Sequence, residues 1–453
     1  MFRFIAAILI FAAPQNDAHN QLAREIFKEL IEINTTDSVG DTTKAAQAVA
    51  VRLKAAGFPE SDVQVLGPNP RKGNLVARYR GTGQRKPLLL LAHLDVVEAL
   101  REDWSFEPFT FLEKDGYFYG RGTTDDKSMA AIWTATFIRF KQEGYKPDRD
   151  LILALTADEE GGNFNGVEWL LANHRQLIDA DAALNEGGES VMKNGRYLLN
   201  AVQPSEKVYQ SYRLEVKNAG GHSSRPVKDN AIYHLAEGLA RLAKFEFPVR
   251  LNEVTTAYYE RMAPLQSGQM AADMRAAAKK PPDRRALARL SASPYDNALL
   301  RTTCVATRLE AGHAENALPQ TARAVVNCRI LPGESPVEVR STLIRVLNNR
   351  KISVAPIAEA RPSDASPLRP DIMGALEKTT NEMWPGIPVV PVMSTGATDG
   401  LYLRIAGIPT YGVSGLFEEI DDNRAHGKDE RMGVKQFYEG REFLYRLVKA
   451  LSS

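Results

Sequence analysis

Two uninterrupted apolar runs, LLLLA at 88–92 and LILAL at 151–155, constrain the fold of this chain more than any other feature. A strand with one wet face alternates apolar and polar residues, whereas a run without alternation is covered on both faces. Around these runs the strand-like segments GNLVARYR (73–80) and DAALNEGG (181–188) alternate with helical patterns at Gln21–Ile33, Thr42–Ala56 and Lys127–Glu143. That alternation predicts an α/β fold, with helices covering a sheet whose strand ends carry a site. At 453 residues the chain is too long for one core, so a second domain is expected.

The texture changes near Gln203. VYQSYRLEVK (208–217) alternates as a half-exposed strand does, and a helical pattern follows at Asn230–Lys244. Two further alternating strands, RTTCVATRLEAG and TARAVVNCRIL, precede a helix at Pro336–Asn349 and the strand KISVAPI. Strand, helix, strand, strand, helix, strand is the order of a ferredoxin-like unit. Within it, the Ala-, Lys-, Arg- and Pro-rich stretch Met262–Ser293 reads as an inserted, exposed helical segment. After Arg361 the first texture resumes in IPVVPVMS and IPTYGVSG, so 206–360 is expected as a domain inserted between 20–205 and 361–453.

Composition excludes several classes. With 57 basic and 56 acidic side chains the net charge is +1, which leaves no electrostatic footprint for nucleic acid or an anionic membrane. An apolar fraction of 44% rules out wholesale disorder. Two cysteines can build neither a disulfide scaffold nor a thiolate zinc site. At the N-terminus, MFR precedes the uncharged block Phe4–Ala13. It is too short for a span of roughly 20 residues, so 1–19 reads as a cleaved secretory signal. The expectation is export, periplasmic or secreted, with no stable membrane anchor.

Five polar clusters stand at strand ends or in the loops beyond them. AHLDVV holds His93 and Asp95, GRGTTDDKS holds Asp125 and Asp126, TADEEGG holds Glu159 and Glu160, NEGG holds Glu186, and NRAHGKD holds His426. A carboxylate pair directly after a buried strand is costly unless paired or metal-bound. Imidazole and carboxylate ligands without thiolate suit catalytic zinc or a similar divalent ion. Two histidines and at least three carboxylates, with one carboxylate left as a base, match the needs of a two-metal hydrolase.

At these residues the chain resembles the zinc-dependent peptidases and deacylases that include carboxypeptidase S, aminoacylase, glutamate carboxypeptidase and succinyl-diaminopimelate desuccinylase. H-L-D, G-R-G-x-x-D-D-K, D-E-E-G-G and a late histidine carry the resemblance, which covers nearly the whole chain after the signal. It implies a mixed-sheet catalytic domain with an inserted ferredoxin-like lid and dimerisation domain, and two Zn2+ per chain, for which Co2+ or Mn2+ could substitute. By the resemblance His93, Asp125 and Glu186 hold one ion, while Asp125 bridges to a second held by Glu160 and His426. Asp95 orients the His93 imidazole, Glu159 is the general base, and the Asp125–Asp126 peptide is cis. His222, in NAGGHSSRP, would reach the neighbouring subunit's active site in a homodimer. Asn316 and Arg329 match the family's grip on a free substrate carboxylate, and Gly396 and Thr398 its loop beside the substrate. The region around NALLRTT and NCRILPG looks most like the carboxypeptidase S branch, which includes N-acyl amino acid hydrolases.

The expected activity is therefore hydrolysis of an amide bond next to a free carboxylate, in a peptide or an N-acyl amino acid. A dipeptidase or aminopeptidase on the same scaffold and a catalytically inactive binding protein are the alternatives. Retention of all five ligands and Glu159 argues against the inactive protein. GRGTTDDKS lacks the G-x-x-x-x-G-K-[ST] spacing and its paired aspartates would repel phosphate, which excludes a nucleotide loop. His19, His174, His234 and His313 match no motif. If the strands bearing Cys304 and Cys328 pair antiparallel, the two thiols could face each other and form a disulfide in an oxidising compartment.

Overall fold

The computed structural model describes residues 13–453. The expected signal segment lies outside the described residues up to Ala12, and the first described helix, Ala13–Glu32, starts earlier than the periodicity indicates. No helix among the described residues is long and apolar enough to cross a membrane. The chain divides into two compact units. One comprises the described residues through Asn200 with Asp371–Pro388 and Val413–Ser453, and the other Ala201–Pro370 with Val389–Gly412.

The first unit is built on a mixed sheet. Five of its strands, β1 (Val63–Leu66), β2 (Asn74–Tyr79), β3 (Arg85–His93), β4 (Arg149–Thr156) and β5 (Ala182–Asn185), lie in the order β1-β2-β4-β3-β5. β3 runs parallel to β4 and to β5, whereas β2 is antiparallel to β1 and β4. Leu88–Leu91 and Leu151–Leu155 are fully buried, as two-sided coverage requires. Helix Lys127–Glu143 supplies part of that cover, and its Trp133 indole donates to Leu91 O at 3.2 Å. It stops at Gly144, which takes the left-handed conformation (φ 63°) that closes a helix C-terminus without Cβ strain. Phe27 stacks on Phe437 at 4.7 Å, and Phe118 meets Phe437 edge-on at 5.7 Å, so the first and last helices share one aromatic contact. Parallel pairing sets His93 opposite Thr156. The loops after β3 and β4 therefore leave the sheet side by side.

Within the second unit, residues 208–356 run strand, helix, strand, strand, helix, strand, interrupted by further helices and two short strands. β6 (Val208–Lys217), β7 (Thr303–Ala311), β8 (Thr321–Ile330) and β9 (Ser353–Pro356) form an antiparallel sheet in the order β7-β8-β6-β9. Alternate residues Tyr212, Leu214, Ala324 and Val326 pack under helices Ala231–Leu242 and Pro336–Leu347 through Leu235, Leu242, Leu343 and Leu347. The inserted stretch is helical, at Gly268–Ala277 and Arg284–Leu290 between flanking helices Glu253–Met262 and Pro294–Leu300, but it is not simply exposed. Ala271, Met274 and Ala277 on one helix and Ala286, Leu287 and Leu290 on the next are buried. Their three- and four-residue spacing is a core stripe. The many Arg and Lys residues between them mask it in a composition reading.

Cys304 pairs directly with Cys328 in the β7–β8 register, and the two form a disulfide. Thiol titration of the unreduced, denatured protein should find no free thiol. Replacing both cysteines by serine should cost about 3 kcal/mol in a denaturant titration, the closed loop being a few tens of residues. Two titratable thiols would contradict the pairing.

Candidate active site

His93 ends β3, Asp125 precedes helix Lys127–Glu143, Glu160 follows β4, Glu186 follows β5, and His426 lies in the loop before the C-terminal helix. Folding brings these five residues into two sets: His93, Asp125 and Glu186, and Asp125, Glu160 and His426. Within each set, one ligand atom from every residue lies within 4.8 Å of the others. Asp125 belongs to both. Its Oδ1 is 2.8 Å from His93 Nε2 and its Oδ2 is 3.0 Å from His426 Nε2. Glu186 Oε2 lies 3.7 Å from His93 Nε2, and Glu160 Oε1 lies 2.9 Å from His426 Nε2. The Asp125–Asp126 peptide is cis.

The electrostatics of the cluster call for positive charge. Burial opposes a proton on His93, yet Glu186, Asp125 and Asp95 together raise its imidazole well above the ordinary value. Burial likewise opposes ionisation of Asp125, but hydrogen bonds with His426 and His93 hold its carboxyl far below the usual range. Hydrogen bonds with Asp125 and Glu160 push His426 up to about 10. In the chain alone, protons on the imidazoles thus meet a demand that divalent cations would also meet. Imidazole nitrogens and carboxylate oxygens grouped on a shared aspartate fit a pair of such ions.

Asp95 meets the His93 imidazole chiefly through its backbone. His93 Nδ1 bonds the Asp95 backbone carbonyl at 3.0 Å, while the Asp95 carboxylate stands 3.6 Å from that nitrogen. The carboxylate also accepts from Glu159 N at 3.1 Å and Glu160 N at 2.9 Å. A carboxylate two residues from the imidazole meets two backbone N–H groups that sequence proximity does not reveal. Asp95 therefore ties the His93 strand end to the turn carrying Glu159, which is half-buried.

Two residues outside the expected set hold Asp125 and His426 in place. Glu430 is fully buried and accepts from Arg121 Nη1 (2.6 Å), Gly122 N (3.0 Å), Thr124 N (2.7 Å), Thr124 Oγ1 (2.9 Å) and Asp125 N (3.2 Å). Arg121 also donates to Gly427 O at 3.0 Å. This pair fastens the Asp125 loop to the His426 loop. The only sequence signal for it was a charge set inside each polar loop, Arg121 between two glycines and Glu430 closing the KDE of the other.

The remaining expected residues lie in the second unit. His222 and Asn316 sit in adjacent segments, with His222 paired to Ala317 and Ser223 N donating to Asn316 O at 3.0 Å. Ser224 N donates to His222 Nδ1 at 3.1 Å, which places the proton of a neutral imidazole on Nε2. Arg329, on β8, lies over the Tyr209 ring at 4.7 Å and makes no ion pair among the described residues. Thr398 donates through N and Oγ1 to Glu206 Oε2 at 3.2 and 2.9 Å, and Gly396 N donates to Ser394 Oγ at 2.9 Å. Glu206 is itself paired with buried Arg404 at 2.7 Å, so a charge pair absent from the expected set anchors this loop.

A shared aspartate between two imidazole–carboxylate sets, at the strand ends of a mixed α/β sheet, defines a metal-dependent hydrolase. The sequence pattern of Peptidase family M20/M25/M40 matches residues 89–450; the chain belongs to that family and acts on amide bonds. Human N-fatty-acyl-amino acid synthase/hydrolase PM20D1 is 27% identical over 375 residues, 80% of this chain and 74% of that protein. Probable carboxypeptidase S-like 2 of Dictyostelium discoideum is 29% identical over 396 residues, 83% of this chain and 74% of that one. The M20 family metallo-carboxypeptidase Sso-CP2 from Sulfolobus solfataricus superposes with a TM-score of 0.69 at 17% identity, covering 95% of this chain and 99% of that structure.

Two predictions follow from the geometry. Glu430→Gln should weaken metal binding by about 10- to 100-fold in a chelator competition, as loss of a group that orients ligands does; unchanged affinity would contradict its role. In the metal-free chain, the His426 ring resonances should show no titration between pH 6 and 8, because its value is pushed up to about 10. A midpoint near 6.5 would mean that Asp125 and Glu160 do not hold it.

Proposed function

We propose that this chain is an exported dinuclear zinc hydrolase that cleaves an amide bond beside a free carboxylate, as a carboxypeptidase or an N-acyl amino acid amidohydrolase. The observation that carries the reading is Asp125, whose two oxygens face one imidazole each. His93, Glu186 and Asp125 would hold one ion, and Asp125, Glu160 and His426 the other. When bound, the ions supply Lewis-acid polarisation of the scissile carbonyl and acidify a water.

The chain's own residues do the rest. Glu159, held at its backbone by Asp95, takes the proton of the attacking water and delivers it to the leaving nitrogen. His222, with its proton on Nε2, donates to the oxyanion of a neighbouring subunit in a homodimer. Arg329 has a planar guanidinium without a carboxylate partner among the described residues, which suits it to the substrate's carboxylate, while Asn316 stands beside His222 at the other end of β8. The N-fatty-acyl-amino acid and carboxypeptidase S-like relatives support such a substrate. Support for the dimer comes from β7, an edge strand exposed from Val305 to Ala311. Support for export comes from the apolar N-terminal block and the Cys304–Cys328 disulfide.

Glu159→Ala should keep the full metal content and lose about 10²- to 10⁴-fold in kcat, whereas His426→Ala should lower metal content. A C-terminally amidated substrate should not be turned over. Near-native turnover by Glu159→Ala would refute the mechanism, and cleavage of the amidated substrate would refute the carboxylate grip in favour of an aminopeptidase.

A further inference from the structure

We infer that Lys72 is a positioning residue for the general base: its ammonium, shared by Asp37 and Asp158, holds the turn from which Glu159 and Glu160 project. The inference rests on the reading of Glu159 as that base.

Beyond β4 the backbone turns sharply at Asp158, a non-glycine residue at φ 56°, in the left-handed region that L side chains rarely adopt. Something must hold it there. The Asp158 side chain has no exposure and is folded beneath its own turn. Its Oδ2 accepts from Phe164 N at 3.1 Å, its backbone carbonyl accepts from Asn165 Nδ2 at 3.2 Å, and its Oδ1 accepts from Lys72 Nζ at 2.5 Å. The turn closes so tightly over this carboxylate that a Cβ on Gly162 would lie 2.2 Å from Asp158 Oδ2. Gly162, at φ 108°, leaves the space.

Lys72 is well placed to act as a fixed post. Its side chain is only 9% exposed, and Nζ also reaches Asp37 Oδ1 at 2.6 Å. The neighbouring backbone is pinned, with Gly73 N on Thr43 Oγ1 at 2.8 Å and the Arg71 guanidinium on Gly40 O at 2.8 Å. The turn is thus clamped from two sides, by Asp95 at the N–H groups of Glu159 and Glu160 and by Lys72 through Asp158. Removing the ammonium would leave a buried carboxylate without its counter-charge, directly next to the base in sequence. Such a carboxylate moves toward water or takes up a proton, and either releases the turn.

The test compares wild type, Lys72→Met, Asp158→Asn and the double variant as metal-loaded proteins. Amide exchange is followed over 158–166 and kinetics with an N-acyl amino acid that the wild type hydrolyses. Lys72→Met should exchange faster in that segment alone and lose about 10- to 100-fold in kcat, the scale of a misplaced catalytic group. KM should stay within about twofold, as expected when only transition-state interactions are lost. The double variant, which removes both charges, should recover protection and most of kcat. Unchanged exchange or unchanged kcat in Lys72→Met would overturn the inference, as would a double variant worse than Lys72→Met. Should Lys72→Met fail to fold, Asp158→Asn and the double variant should have equal kcat; a further loss in the double variant would show that Lys72 acts elsewhere. Full turnover by Glu159→Ala alongside altered exchange in Lys72→Met would instead sink the reading of the base and leave the clamp standing.

Discussion

The Asp125 carboxylate, turned toward His93 with one oxygen and toward His426 with the other, is the contact on which the rest of the site depends. A carboxylate can face two ways only if its backbone is fixed, because each imidazole alone would draw it aside. The fold fixes it in several layers. Parallel pairing of two fully buried strands sets His93 beside the turn after Thr156, and Glu430 grips the backbone on the N-terminal side of Asp125. Concentrating carboxylates at buried strand ends is unfavourable without positive charge. The raised His93 and His426 values are the response of the chain alone to that burden.

The supporting groups share one chemical plan. Glu430, Asp95 and Asp158 are carboxylates that accept backbone N–H groups of the loops bearing the ligands, and two of the three are matched by a buried cation, Arg121 or Lys72. Glu206 with Arg404 repeats the plan around Thr398 in the second unit. Charge-assisted bonds to backbone hold a loop more rigidly than packing of its small residues could, which suits segments rich in Gly, Thr and Asp. Each such bond fixes the backbone of a neighbouring loop residue.

How much of this was legible in the sequence depends on the range of the interaction. The buried strands could be read because lack of alternation over five residues is a local signal, and the βαββαβ order could be read because each element is locally periodic. The Cys304–Cys328 contact followed from hairpin symmetry. The five candidate ligands stand at strand ends within motifs, and the structure draws them into two sets. Arg121 with Glu430 was not legible, because the partners are separated by about three hundred residues and a Gly-Arg-Gly loop reads as an ordinary turn. Lys72 with Asp158, 86 residues apart, was hidden because no local pattern pairs them. The buried face of 262–293 was masked by its charged residues, and the Asp95 carboxylate contacts depend on where two loops meet, which no local pattern encodes.

Anomalous diffraction at the zinc edge from crystals of the zinc-loaded protein tests the central claim most directly. Two peaks are predicted on either side of the Asp125 carboxylate, about 3.5–4 Å apart as in two-metal hydrolytic sites, one beside His93 and Glu186 and the other beside Glu160 and His426. A single peak, or peaks that leave Asp125 outside the coordination of either ion, would contradict the account.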